Sequence, residues 1–361
     1  VTLLFRDGIS VNNGIQFNHH LDGNLFNLRR LKANSKVTEA SVLELQYADD
    51  AALPRHTTTG LQRNLDVLAD RYRRAGLNVN TKNPKILSCL SHSTAETRPS
   101  FSAHGNVISE VGQFTYLGSI LSSDCDLSGE IQHRLKQASS SFGRLMQRVF
   151  LNRNLTITTK VAVYKAVCIS TLLYGCESWT PYRRHIKLLE AFHTRCLRTM
   201  FNIHWWHHVT NVELRRKAAI SSLEYILYQR QLRWVGHVVR MPTNRLPRQL
   251  LYGELRQGQR TVGRPKKRFA DHLKCILKWC GIPVASFENL AADRDVWKST
   301  CRTGLDAWEA ASTQAAEERR QRRHAAAAAP PAPQGPQCQL CGRICASEFG
   351  LRSHLRVHSK K

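Results

Sequence analysis

Four residues near the end of the chain have the types and spacing of a zinc site. Two residues separate Cys338 from Cys341, twelve separate Cys341 from His354, and three separate His354 from His358. Zinc takes four tetrahedral nitrogen or sulfur ligands. Cys2His2 at this spacing supplies two thiolates from a hairpin and two imidazoles from one helical face. Leu351 falls at the core position of such a ββα finger, and Cys345 stands where an aromatic ordinarily follows the second cysteine. Cys345 reads as a small core residue rather than a fifth ligand. A module of 25 residues, 337–361, buries too little apolar surface to fold alone, so metal binding is its folding energy. A second set is acidic: the run Val42-Leu43-Glu44-Leu45-Gln46-Tyr47 stops at Ala48-Asp49-Asp50. Adjacent carboxylates at a strand turn suit Mg²⁺, which takes hard oxygen ligands and keeps places for water and phosphate. Two such ions about 3.5–4 Å apart activate an attacking oxygen and steady a leaving group. An Asp-Asp pair is equally an ordinary turn or cap, so spacing alone leaves both readings open.

The charge balance points to a polyanion. Of 361 residues, 53 are Lys or Arg and 27 are Asp or Glu, a net charge of +26. A surplus of this size implies RNA or DNA as partner. Candidate contacts are Arg134 and Lys136 in a basic helix, Arg264, Lys266, Lys267 and Arg268 in a Gly/Arg/Lys-rich passage, and Arg352 and Arg356 on the finger. The passage Gly263-Arg264-Pro265 suits a minor-groove hook, a nuclear-import patch or a solvated loop. The finger's base-facing positions fall on Ser347, Gly350 and Ser353, none of which makes a strong bidentate contact to a base edge. Positioning on phosphates is therefore favoured over sequence reading, with protein contact as the remaining alternative. The 11 cysteines are odd in number and scattered, which fits a reduced setting better than a disulfide scaffold. No apolar run approaches the roughly 18–20 residues of a membrane span. Arg6 and Asp7 interrupt any signal peptide, and the chain begins at Val1, which reads as a fragment. The expected location is nuclear or cytoplasmic, without secretion.

Several elements must position these residues. Leu61, Leu65, Leu68, Tyr72 and Ala75 share one helical face over 60–76, with Thr57 to Thr59 as N-caps and Gly76 as C-cap. Short strands are expected over 77–80 and 85–89. Ile131, Leu135, Ala138, Phe142, Leu145 and Val149 form a stripe on a helix that Ser128 can cap. Further helices are expected near 155–178, 184–200 and 221–240, followed by an amphipathic stretch at 270–280 and a charged one at 291–320. Residues 325–336 are Ala/Pro-rich and read as a stiff linker. The cluster His204-Trp205-Trp206-His207-His208 reads as a loop packing its tryptophans on the helical region, with metal binding as the alternative. His272, Cys275 and Cys280 lack a fourth ligand and read as core and surface residues.

The segment Leu45-Gln46-Tyr47-Ala48-Asp49-Asp50-Ala51-Ala52-Leu53 resembles the catalytic hairpin of reverse transcriptases of non-LTR (LINE-type) retrotransposons. The resemblance continues in order. Ala75-Gly76-Leu77-Asn78-Val79-Asn80-Thr81-Lys82 resembles the next palm block, and Phe114-Thr115-Tyr116-Leu117-Gly118-Ser119 the primer-grip block. Leu172-Leu173-Tyr174-Gly175-Cys176-Glu177-Ser178-Trp179, Arg233-Trp234-Val235-Gly236-His237, Gly263-Arg264-Pro265-Lys266-Lys267-Arg268 and Asp293-Arg294-Asp295-Val296-Trp297 resemble the helical region beyond it. The resemblance implies that Asp49 and Asp50 hold catalytic Mg²⁺ and that Lys82 protonates the leaving pyrophosphate; an ordinary exposed lysine is the other reading of Lys82. It implies RNA-directed DNA polymerisation with template, primer and target DNA as partners.

The departures limit that expectation. The family's first palm carboxylate lies on an earlier strand, and none of the 48 residues before Asp49 resembles that block. The fingers and an N-terminal endonuclease are missing from the pattern too. The expected fold is α+β: a partial palm over 1–125, a helical thumb and basic connection region over 126–324, the linker 325–336, and a zinc finger over 337–361. Two functions compete: a metal-dependent polymerase, and a zinc-containing nucleic-acid-binding protein without catalysis.

Overall fold

The computed structural model describes residues 14–20, 23–33, 35–77, 84–89, 101–103, 106–257, 266–328, 335–345 and 347–358. The chain is mixed α+β, mostly helical with small sheets. It divides into two compact units, Val1–Trp308 and Glu309–Lys361.

In the first unit, strands β1 (Ile15–His19) and β2 (Thr38–Val42) precede a hairpin of β3 (Leu45–Tyr47) and β4 (Asp50–Ala52), then helix α1 (Thr58–Arg74). Next come β5 (Lys85–Ile86), β6 (Phe101–Ala103), β7 (Asn106–Glu110), β8 (Gln113–Tyr116) and β9 (Ser119–Ser122). The helical part follows: α2 (Ser128–Leu145), α3 (Ile157–Val163), α4 (Ser170–Leu172), α5 (Arg183–Met200), α6 (Asn211–Ala218), α7 (Leu223–Val239) and α8 (Leu246–Leu251). Strand β10 (Gly253–Leu255) then returns the chain to β1, and α9 (Phe269–Trp279) and α10 (Phe287–Ala292) lead into α11 (Arg294–Ala328). The second unit ends in α12 (Glu348–His358).

The sheets are small: β10-β1-β2, the β3-β4 hairpin, β5-β7-β6 and the β8-β9 hairpin. The pairing of Phe17 with Leu255 crosses the expected boundary at 125/126, as do the bonds from the Asn24 and Leu25 amides to the Glu288 carboxylate, at 2.9 and 3.0 Å. One expected strand proves to be two. Val42 ends β2 against Ile15, whereas Leu45 starts β3 against Ala52, so the run 42–47 changes partner at Leu43 and Glu44.

α1 forms as its pattern demands. The Thr57 hydroxyl accepts from the Gly60 amide at 3.2 Å, satisfying one orphan N–H of the first turn. Leu61 and Leu65 pack on a small core of Ile86, Phe101 and Ile108. The strand expected at 77–80 lies largely outside the described residues, and β5 is shorter than 85–89. α2 buries Ile131, Ala138 and Phe142, and a π turn over Met146–Phe150 stacks Phe150 on Phe142 with centroids 4.3 Å apart. Ser128 does not cap α2: its hydroxyl faces His185 Nε2 at 3.0 Å instead.

The main core lies among the helices, with α7 at its centre. Leu227, Gln231, Leu232 and Val235 of α7 are fully buried, so this helix is enclosed on several sides. The helix expected at 155–178 runs through α3, a π turn over Tyr164–Ile169 and α4 without a gap, and it stops before Gly175, whose φ is +70°. Part of the stretch expected as linker is helical. Ala325 to Ala328 continue α11, because alanine is the strongest helix former and nothing interrupts the run before Pro330. Among the described residues no helix is long and apolar enough to cross a membrane.

Candidate metal centre

The Cys/His module is built by a short hairpin and one helix. Gln337 bridges Ile344, and the Cys338 amide donates to the Arg343 carbonyl at 2.8 Å. Gly342, at φ +71°, makes the tight turn that brings Cys341 round beside Cys338. The Ser347 hydroxyl accepts from the Gly350 amide at 3.1 Å, which starts α12 and sets its outward register. His354 and His358 then project from one face. Cys341 Sγ lies 3.0 Å from His354 Nε2, and His358 Nε2 lies 3.1 Å from the same atom. The ligand atoms of Cys338, Cys341, His354 and His358 all lie within 4.8 Å of one another. Zn–S and Zn–N bonds of about 2.3 and 2.0 Å place tetrahedral ligands about 3.3–3.8 Å apart, so the set fits zinc with small adjustments. Cys345 is buried and outside this group, as a core residue should be. Among the described residues these four are the only group of three or more His, Cys, Asp or Glu close enough to hold a metal ion.

The acidic hairpin has another character. Asp49 occupies the turn and Asp50 pairs with Tyr47 across it, both exposed to solvent. Ala48 takes φ +52° to close the turn. The Tyr116 phenol of β8 donates to the Leu45 carbonyl at 3.4 Å, and burial together with the Asp50 charge pushes its pKa up. Strand β8 thus touches the β3-β4 hairpin through Tyr116. Below it, burial raises the Glu44 pKa against the opposing pull of Arg55 and Arg71. Among the described residues no third carboxylate joins Asp49 and Asp50 in a metal-sized cluster. Lys82 lies outside the described residues.

Four of the quoted segments touch in two pairs, 172–179 on 114–119 and 233–237 on 293–297. The Tyr174 hydroxyl donates to the Leu117 carbonyl at 3.1 Å, and its ring lies 4.6 Å from the Arg134 guanidinium. Gln231 of α7 donates to the Cys176 and Trp179 carbonyls at 2.9 and 2.8 Å, and its oxygen faces His272 Nε2 at 3.1 Å. His272 Nδ1 accepts from Lys267 Nζ at 2.8 Å. Gly236 lies under the Trp297 indole, whose N–H donates to the Leu232 carbonyl at 2.9 Å. Sequence reasoning found these blocks without seeing that they touch.

That packing corrects one expected nucleic-acid contact, Arg134, and gives Lys267 and Arg268 protein partners. Arg134 is only 6% exposed, ion-paired with Glu130 at 2.6 Å and bonded to the Gly118 carbonyl, so it holds β8–β9 on α2 and offers nothing to phosphate. The i, i+4 placement on the stripe's edge hid this, because Glu130 supplies the partner that lets an arginine be buried. Lys267 is half-buried on His272 and the Pro181 carbonyl. Arg268 is ion-paired with both Glu254 and Asp271. Lys136, Lys266, Arg352 and Arg356 are exposed, and Arg264 lies outside the described residues. A further correction concerns the His/Trp cluster: Trp205 and Trp206 are 80% and 53% exposed, not packed on the helices.

An uncharacterized transposon-derived protein of Caenorhabditis elegans is similar to this chain. It is 22% identical over 277 residues, an alignment covering 74% of this chain and 98% of that protein. The likeness supports a transposon origin. No family model matches the chain, and no solved structure matches it.

Proposed function

We propose that this chain is a zinc-containing, nucleic-acid-binding protein derived from the reverse transcriptase of a non-LTR retrotransposon. The observation that carries the reading is the four-ligand group Cys338, Cys341, His354 and His358, within 4.8 Å of one another in a chain of net charge +26. Zinc bound there supplies folding energy, not chemistry, since all four of its positions are taken by protein. The finger presents Ser347, Gly350 and Ser353 at the base-facing positions, which supports phosphate positioning over sequence reading. Lys136, Lys266, Arg352 and Arg356 are the cations offered to the polyanion. The transposon-derived relative fits this origin.

This chain by itself does not polymerise. The exposure of Asp49 and Asp50 on the hairpin turn supports that reading. Two-metal phosphoryl chemistry needs both ions held by convergent oxygens. The test is a pair of assays on the zinc-loaded chain. Scrambled RNA and DNA should bind with similar affinity, and primer extension on an RNA template with Mg²⁺ or Mn²⁺ should give no product. Extension lost in Asp49→Ala would establish the polymerase instead. Absence of binding to any nucleic acid would remove the reading altogether.

A further inference from the structure

The exposed tryptophans have an ordered setting. Trp205, Trp206 and His207 form a 3-10 turn between α5 and α6. The His204 amide donates to His207 Nδ1 at 2.9 Å, and His204 Nε2 lies 3.2 Å from Asn202 Oδ1. The His204 ring stacks on one face of Trp206, centroids 4.4 Å apart and planes within 8°. Arg198 ties the far side of the loop by donating to the Val209 carbonyl at 2.8 Å and to Asn211 Oδ1 at 3.0 Å. The two indoles stand nearly perpendicular, at 82°, so they present separate faces to solvent. Beside them, at the end of α5, a cleft of about 420 Å³ is lined by Leu151, Arg195, Arg198, Asn202, Ile203 and His204, among others, with no carboxylate. Arg195 is exposed and makes no ion pair among the described residues.

Two tryptophans held in water by a fixed loop are costly unless something covers them. The charge beside them decides what. Two guanidiniums without a carboxylate favour an anionic backbone, and flat aromatic faces favour flat bases. Duplex bases are already stacked and hidden, so the match is to an unpaired strand. We infer that the Trp205–Trp206 turn and the adjoining Arg195/Arg198 cleft form a stacking site for the unpaired bases of single-stranded nucleic acid. This rests on the nucleic-acid-binding reading and adds to it a named site and a strand preference. Exposed Trp205 takes the base face to face, Arg195 meets the phosphate, and His204 keeps Trp206 in position.

The experiment compares the zinc-loaded full chain with Trp205→Ala, Trp205→Phe and Arg195→Ala. The readout is anisotropy of a labelled 20-nucleotide scrambled RNA and of the same sequence as a duplex. Trp205 is exposed, so neither substitution there should alter the circular dichroism. Stacking of one base is worth about 5- to 150-fold in affinity, so Trp205→Ala should weaken single-strand binding within that range. Duplex binding should change less than about twofold. Trp205→Phe should keep most of the single-strand affinity, since it keeps a ring. Arg195→Ala should weaken single-strand binding and lower its salt slope by about 0.7, one phosphate contact on a single strand. If the chain binds both probes and Trp205→Ala changes neither, or both equally, the stacking site is refuted while the wider reading stands. If no probe binds, both fail. Self-association of the chain that vanishes in Trp205→Ala, with RNA affinity unchanged, would assign the patch to a second copy and overturn the inference.

Discussion

Replacing Gly236 by alanine isolates one contact that joins two distant blocks of the sequence. A Cβ at this position would lie 2.2 Å from Trp297 Nε1 and 2.3 Å from its Cδ1. The indole has no free direction to leave: it is 3% exposed, and its N–H is committed to the Leu232 carbonyl at 2.9 Å. Alanine is intrinsically better than glycine in a helix by about 1 kcal/mol. Against that stand overpacking, at about 1–3 kcal/mol, and the orphaned indole N–H, at about 1–3 kcal/mol. The balance is a net loss of about 1–5 kcal/mol, and 2–4 is the central range. Thermal unfolding followed by circular dichroism should show the melting temperature falling by several degrees. In a Trp297→Leu background the obstacle is gone, and the same Gly236→Ala change should be neutral or stabilising by up to about 1 kcal/mol. A neutral Gly236→Ala in the wild-type chain, or an equal loss in both backgrounds, would refute the argument.

Three other outcomes follow from the same geometry. His354→Ala removes one of four ligands, so Co²⁺ titration of the full chain should lose the tetrahedral-thiolate absorption that the unaltered chain displays; a band that survives the change sinks the zinc assignment. Arg134→Ala leaves Glu130 buried with only the Ile120 amide as its donor among the described residues, at 2.6 Å, and should cost about 3–5 kcal/mol in thermal or urea unfolding, while Lys136→Ala should cost nearly nothing. Burial, with Arg215 as a smaller contributor, lowers the His193 pKa to about 4, and burial with Lys267 lowers His272 to about 3. Both imidazoles are neutral in the folded chain, and their unfolded pKa is about 6.5. Above that value neither state binds the proton, and stability is unaffected. Between about 6.5 and 4 only the unfolded state binds it, so stability falls as pH falls, by an order of 3 kcal/mol for His193 in full. A melting temperature whose slope between pH 6.5 and 5 is the same in His193→Gln would contradict this.

The sequence carried the local features best. The Cys/His spacing placed all four ligand atoms together because its short loop and i, i+4 helix face are fixed by covalent reach. The α1 stripe and its Thr57 cap were legible for the same reason. The hairpin turn at Ala48-Asp49 was legible too, but the change of partner between Val42 and Leu45 was not, since only long-range pairing with Ile15 and Ala52 reveals it. Basic residues misled most. Composition cannot tell Arg134, buried on Glu130, from Lys136 two positions later on the solvent face. Apolar type misled at Trp205 and Trp206, because hydrophobicity argues for burial and only the fixed 3-10 turn keeps them out. Alanine's helix propensity carried α11 through Ala328, further than the linker reading allowed.

The central claim is that the zinc-loaded chain holds nucleic acid through phosphate contacts without reading sequence. Its most direct test is the salt dependence of binding, measured by anisotropy with scrambled RNA and DNA duplexes. The logarithm of affinity should fall linearly with the logarithm of salt, by about 0.7–0.9 per phosphate neutralised. Replacing Lys266, Arg352 and Arg356 with alanine should weaken binding to every sequence alike and flatten that slope. Binding that ignores salt, or a preference above about a hundredfold for one short duplex, would contradict the account, because a finger reading bases spends its affinity on base edges instead.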